Sequence, residues 1–360
     1  MYVITNREVT KRKARDLKQF GDKPNKLGNN ELRVARVTRK NGKWDAFVLP
    51  DSVTPAMAAR LIKENKLCLD PKDDHYASLR VACEVVNKAR KEKRHILFFV
   101  HGYNNNFEDT IERAWDFEQR YGVVCLVFSW PANGGGVKGV ASYKSDKRDA
   151  RASTGALERA LMIMYKYLEL VSEDLRKRLY QRAEKKWPEN GLERDREYVA
   201  LLEKHCPYTV NAIFHSMGNY LLKHMLKSSI NEGNRLMFDN IVLAAPDTNN
   251  LDHDLWVEKL QFRNRCFVAI NENDFALGFS RLKGGNDQLA RLGHYLKGLD
   301  AKNAHYINFT DADHVGKSHG VFGKPATQNN DIFEFFKSAF SGQPAEETLT
   351  YKDSGNYYEF

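Results

Sequence analysis

Ala212-Ile213-Phe214-His215-Ser216-Met217-Gly218-Asn219 is the stretch on which the fold turns. An apolar run over 209–214 precedes the serine, and a helical pattern over 219–229 follows it. A serine between a buried strand and a helix is the arrangement of a nucleophile elbow. The chain turns so sharply there that the hydroxyl stands at the tip, with the next backbone N–H aimed at the same space. Small residues two before and two after the serine relieve crowding in that turn. Gly218 fills the second position, but Phe214 stands at the first, where it crowds the backbone unless the adjacent strand leaves room.

Reading outward, short apolar runs alternate with amphipathic segments. The runs are 96–100, 123–128, 209–214, 241–245, 266–270 and 304–309, rich in Val, Ile, Phe or Cys with little polar alternation. Such runs fit strands covered on both faces. Helical periodicity occupies 108–120, 149–169, 219–229 and 252–261 between them. This alternation predicts an α/β protein with a mostly parallel, doubly wound sheet. The N-terminal extension, 1–92, reads as short strands at 2–5, 32–37 and 44–49, with an Asn41-Gly42 hairpin turn, then helices at 54–65 and 76–92. The main domain spans 93–341, and 342–360 is a polar, aromatic tail. Within the domain, 172–205 is densely charged and broken by Trp187-Pro188 and Asn190-Gly191. It reads as a helical insertion, either a lid or a solvated excursion.

Three further segments carry chemistry. Phe98-Phe99-Val100-His101-Gly102-Tyr103-Asn104 ends an earlier strand in a His-Gly loop, where Gly102 admits close backbone approach. The N–H of Tyr103 would join that of Met217 in holding an oxyanion, and His101 itself reads as a turn-packing residue. Asn271-Glu272-Asn273-Asp274 follows the 266–270 run, and an acid there can orient a histidine. Asp274 is the expected acid. Asp247, after Leu243-Ala244-Ala245-Pro246, is the rival, with a cap as its alternative role. His319, in Gly316-Lys317-Ser318-His319-Gly320 beyond the last run, is the expected base, with His314 in the same loop as the alternative. The order Ser216, Asp274, His319 is that of nucleophile-elbow enzymes, not of the chymotrypsin or subtilisin types.

With these motifs in view, the chain resembles a bacterial group of uncharacterised α/β-hydrolases of the esterase/lipase superfamily. The resemblance runs over 94–322. It rests on His101–Asn105, Phe128–Pro131, His215–Asn219, Leu243–Asp247, Asn273–Leu277 and Ser318–Phe322. It leaves out the first 90 residues and 172–205, and Phe214 departs from it. It implies the α/β-hydrolase fold and a Ser/Asp/His hydrolase acting on esters, with no cofactor. A lipase or phospholipase working at anionic membranes, or an inactive scaffold that binds a partner protein, are the alternatives.

Composition narrows the rest. The 360 residues hold no apolar run of membrane-spanning length and no secretory signal, which predicts a cytoplasmic protein. Five scattered cysteines with no C-x-x-C pair argue against a disulfide framework or zinc site. Phosphate-loop, dinucleotide and H-E-x-x-H signatures are absent. Gly134-Gly135-Gly136 reads as a flexible loop near the site. Residues 1–40 carry 12 Lys/Arg against 4 Asp/Glu, a balance of +8 in a chain of net charge +9. That segment is either a basic arm packed on acidic neighbours or a face for an anionic membrane or a partner protein. Its only aromatics are Tyr2 and Phe20, so nucleic acid is disfavoured as a partner.

Overall fold

Among the described residues the chain forms thirteen strands: β1 (Tyr2–Thr5), β2 (Arg7–Val9), β3 (Phe20–Pro24), β4 (Arg33–Lys40), β5 (Lys43–Val48), β6 (Ile96–Val100), β7 (Val124–Ser129), β8 (Val210–His215), β9 (Phe238–Ala244), β10 (Phe262–Ile270), β11 (His305–Asn308), β12 (Thr350–Lys352) and β13 (Tyr357–Glu359). The computed structural model describes residues 1–10, 14–133, 143–227, 234–282 and 290–360. Eleven strands form one sheet in the order β12-β13-β11-β10-β9-β8-β6-β7-β1-β4-β5, and β2 pairs with β3 apart from it. Every pairing from β13 across to β1 is parallel. Among the described residues of this large sheet, the antiparallel pairings lie toward the edges, at β12–β13, β1–β4 and β4–β5.

The continuous apolar runs are explained by cover on both faces. Along β6, Ile96, Phe98 and Val100 join one core with helices Ala77–Glu92, Thr154–Lys186 and Met217–Met225. Leu97 and Phe99 join the other, with helices Phe107–Arg120 and Asn330–Ala339. From β6 the chain first moves outward to β7, then returns to place β8 on the other side of β6. Strand order therefore reverses at β6, which opens a crevice at the carboxyl ends of β6 and β8.

Both ends of the chain join the same sheet. The Asn41-Gly42 turn has positive φ at both residues, 49° and 75°, as a two-residue hairpin turn between twisted strands requires. It joins β4 to β5. At the other edge, β12 and β13 extend the sheet, and Phe360 stacks on Phe309 with ring centroids 4.6 Å apart. The aromatics of the tail thus close the end of one core.

Two helical segments differ from expectation. Helix 252–261 shrinks to a single turn, Asp254–Val257, because the chain must re-enter the sheet at Phe262. The segment 172–205 has no break at its start: helix Thr154–Lys186, 33 residues and roughly 50 Å long, runs on into it, and the break falls at 187–190. Asn190 then caps the returning helix Gly191–His205 by accepting from the Glu193 N–H. The long helix starts at the carboxyl ends of the strands, where Asn6 Nδ2 donates to Ser153 Oγ at 2.9 Å. By Ser172 it is level with Tyr208, just before β8 begins, their hydroxyls 3.5 Å apart. The helical pair therefore projects past the amino-terminal edge of the sheet, away from Ser216. It is an excursion with its own small core of Leu179, Ala183 and Leu201.

Room for Phe214 comes from the helix side of the sheet. Its ring is buried and meets Phe98 edge-on, centroids 6.3 Å apart. The phenylalanine thus acts as core, and Phe214→Ala should cost about 3–5 kcal/mol of stability in urea unfolding. A loss below about 1 kcal/mol would show that the site collapses around the smaller side chain.

Candidate active site

Ser216 follows the last residue of β8 and precedes helix Met217–Met225, with φ 53° and ψ −120°. That backbone region is strained for a non-glycine residue and costs of order 1–3 kcal/mol. Hydrogen bonds hold it there. The Ser216 N–H donates to the Ala244 carbonyl at 2.9 Å, and the Ser216 carbonyl accepts from the Asn219 N–H at 3.0 Å. Asn219 Nδ2 also reaches the carbonyls of Phe214, Ser216 and Ala244 at 2.7, 3.2 and 3.3 Å. Gly218 is required by proximity: a Cβ there would lie 2.9 Å from the carbonyl oxygens of both Val100 and His101.

The loop after β6 meets this elbow from the neighbouring strand. A Cβ on Gly102 would come within 2.7 Å of Ser216 Cβ, so only glycine lets the two segments pack. His101 organises the loop from behind. Its ring stacks on Trp130 at 5.1 Å, its Nε2 accepts from the Trp130 N–H at 3.1 Å, and its Nδ1 therefore carries the proton donated to the Gly102 carbonyl at 2.8 Å. In a trans peptide the N–H lies opposite the carbonyl, so the Tyr103 N–H is turned away from the imidazole. The buried Asp146 carboxylate accepts from the backbone N–H groups of Asn104 (3.1 Å) and Asn133 (3.0 Å), tying this loop to the one after β7.

His319 and Asp274 come together across the ends of β10 and β11. His319 Nδ1 lies 2.6 Å from Asp274 Oδ2. The other carboxylate oxygen accepts from the N–H groups of Ala276 and Leu277 at the start of helix Phe275–Leu282, which fixes its orientation. Asn271 Nδ2 donates to the Gly316 and Ser318 carbonyls, both at 2.9 Å, and so holds the histidine loop. The residue before the serine supports it too: His215 Nε2–H donates to the His319 carbonyl at 3.0 Å. Ser216 Oγ is buried and makes no hydrogen bond among the described residues, so the serine–histidine leg is open. Such contacts often tighten only when substrate is bound.

The alternatives lie elsewhere. Asp247 is buried in a separate network. It accepts from Tyr143 and Ser280 hydroxyls, each at 2.9 Å, and pairs with Arg291 Nε at 3.1 Å. His314 is exposed, with a left-handed φ of 68°. The 134–136 glycine run lies outside the described residues. Of the basic N-terminal residues, Arg7, Arg15, Lys26, Arg33 and Arg39 are in ion pairs. No role for Asn219, Asn271 or Asp146 is legible in the sequence, because a lone polar residue, whether on a helix (Asn219, Asp146) or in a loop (Asn271), carries no periodic signal.

Beneath Asp274 and His319 is a cavity of about 10 Å³, space for a single water. An acidic groove of about 380 Å³ on helix Phe107–Arg120 is lined by Asn105, Asp109, Glu112, Arg113 and Asp116, none of them a candidate catalytic residue. The described residues hold no cluster of metal-ligating side chains, and no described helix is long and apolar enough to cross a membrane.

Parallel strands whose order reverses beside a serine elbow are the defining traits of the α/β-hydrolase fold, and this molecule has them. The chain belongs to the family described as alpha/beta hydrolase of unknown function (DUF900), whose model matches residues 80–171 and 177–332. The family match takes in most of 172–205, which the resemblance had left outside; its dense charge disguised the continuation of a long helix. No curated protein and no solved structure gives a significant match.

Burial first, and then the Arg7 guanidinium, lowers the His101 imidazole to about 3. Burial, His319 and Arg113 hold His215 well below the ordinary histidine range. Both stay neutral when folded, while unfolded imidazoles protonate near pH 6.5. The unfolded chain then binds more protons as pH falls, so stability is full above about 6.5 and declines below it. The expected loss is about 1.4 kcal/mol per pH unit for each group. Urea midpoints at pH 7.5, 6 and 5 check this. His215→Gln should flatten the decline, and an identical slope in that variant would refute the assignment for His215.

Proposed function

We propose that the protein is a serine hydrolase that cleaves carboxylic esters through an acyl-enzyme. The observation that carries this reading is a strained serine elbow packed against Gly102, with a histidine–carboxylate pair on the adjoining loop. With Nδ1–H directed at Asp274, His319 Nε2 is the basic nitrogen. It takes the Ser216 proton as Oγ attacks the ester carbonyl. The backbone N–H groups of Tyr103 and Met217 hold the oxyanion, Met217 at a helix start whose first N–H has no intrahelical partner. Collapse expels the alcohol, which receives the proton from His319. Water, activated by the same imidazole, then releases the acid and restores the serine. Asp274 fixes the tautomer and stabilises the imidazolium.

The open Ser216–His319 leg gives the inactive-scaffold reading its one supporting observation, and one experiment separates the two. A fluorophosphonate probe should label the wild type, and Ser216→Ala should abolish the label. His319→Ala should slow labelling by more than about 10³-fold, and Asp274→Asn by a comparable factor through loss of the correct tautomer. A folded wild type that takes no label would overturn the hydrolase reading in favour of the scaffold.

A further inference from the structure

Arg7 is fully buried at the end of the N-terminal strand pair, outside the region matched by the family. The parallel pairing of β1 with β7 brings Thr5 opposite Ser129. The chain then turns at Asn6 so that the Arg7 N–H donates to Thr5 Oγ1 at 3.0 Å and the side chain points inward along the carboxyl ends of the sheet. Its guanidinium has five donors in a rigid fork. Nε donates to Ser129 Oγ at 2.9 Å, and Nη2 donates to the Asn105 carbonyl at 2.9 Å. Nη1 reaches the carbonyls of Gly21 and Ala132 and the Asp22 carboxylate, at 3.2, 3.3 and 3.3 Å.

Two of these contacts lead to the loop beside Ser216. Ser129 Oγ lies 3.4 Å from His101 Nε2, and the opposite nitrogen of that ring holds the Gly102 carbonyl. Asn105, whose carbonyl Arg7 takes, turns its own Nδ2 onto the Tyr103 carbonyl at 2.7 Å and the Gly102 carbonyl at 3.4 Å. Arg7 thus grips the loop at both ends. A cation removed from water is costly unless all its donors are engaged, and core filling alone would be met by an apolar side chain. We propose that Arg7 is a positioning residue: it sets the orientation of the Gly102–Tyr103 peptide, and hence the oxyanion-binding N–H of Tyr103. This inference rests on the serine-hydrolase reading above.

The test compares wild type, Arg7→Lys and Arg7→Met by fluorophosphonate labelling rate and by steady-state hydrolysis of a p-nitrophenyl ester, each normalised to folded protein by circular dichroism. A misdirected oxyanion donor slows the chemical step and spares ground-state binding. Labelling rate and kcat should therefore fall roughly 10- to 100-fold in Arg7→Met and less in Arg7→Lys, with KM within about two-fold of wild type. The pH midpoint of labelling should stay at the wild-type value, since His319 and Asp274 are untouched. Folded Arg7 variants that label at the wild-type rate would overturn the inference. If either Arg7 variant fails to fold, the double variant Ser129→Ala/Asn105→Ala decides: it cuts both links from Arg7 to the Gly102–Tyr103 peptide, and an unchanged labelling rate refutes the role. A wild type that takes no label sinks the hydrolase reading itself, a result distinguishable from normal labelling in every variant.

Discussion

Close approach of two backbones, at the ends of β6 and β8, is the constraint from which the rest of the site follows. Parallel pairing in the register Val100↔Phe214 delivers His101–Gly102 and His215–Ser216 to the same height. Each segment then needs a glycine where the other presses on it: Gly102 against Ser216, and Gly218 against the carbonyls of Val100 and His101. The strain at Ser216 is sustained because several hydrogen bonds over-determine that turn. Any shift between β6 and β8 would separate the serine from the loop that faces it.

The polar groups around this contact are buried and, apart from Ser216 Oγ and Asn219 Oδ1, mostly paired, which makes the loops rigid; the serine is buried between them. His101 works as a neutral donor and acceptor, and His215 as a donor to the backbone of His319. Each donates to a backbone carbonyl, which favours the charged form, but burial outweighs that contact and keeps both neutral. Arg7 and Asp146 bring full charges to these loops, and each spends part of its hydrogen-bonding capacity on backbone groups of neighbouring loops. Asp247 shows how the same residue type is used differently one strand away: it satisfies Arg291, Tyr143 and Ser280 and leaves His319 to Asp274.

The family match and the tertiary structure divide the chain differently. The match begins at residue 80, yet β1 lies directly beside β7 and carries Arg7 to the carboxyl-end crevice. The segment 172–205, included in the match for most of its length, leaves the sheet at the end remote from Ser216. Proximity to the site therefore does not follow membership of the matched region.

Periodicity and local motif determined most of the fold from the sequence alone. Uninterrupted apolar runs marked the parallel strands because both faces are covered. The strand–serine–helix pattern marked the elbow because so few residues tolerate that turn, and Asn41-Gly42 marked its hairpin because both positions need positive φ. Chain order favoured Asp274 over Asp247 and His319 over His314, and only the tertiary structure brings Asp274 and His319 to 2.6 Å from each other across the ends of β10 and β11. Phe214 looked like an obstacle because crowding depends on which way a ring turns off the sheet, a property of the neighbouring strands and helices. Asn219 and Asn271 fall inside quoted motifs, but the sequence gives no sign of their roles, nor of those of Arg7 and Asp146. Their partners are mostly backbone carbonyls and N–H groups, which every residue possesses, so only the folded arrangement could single them out.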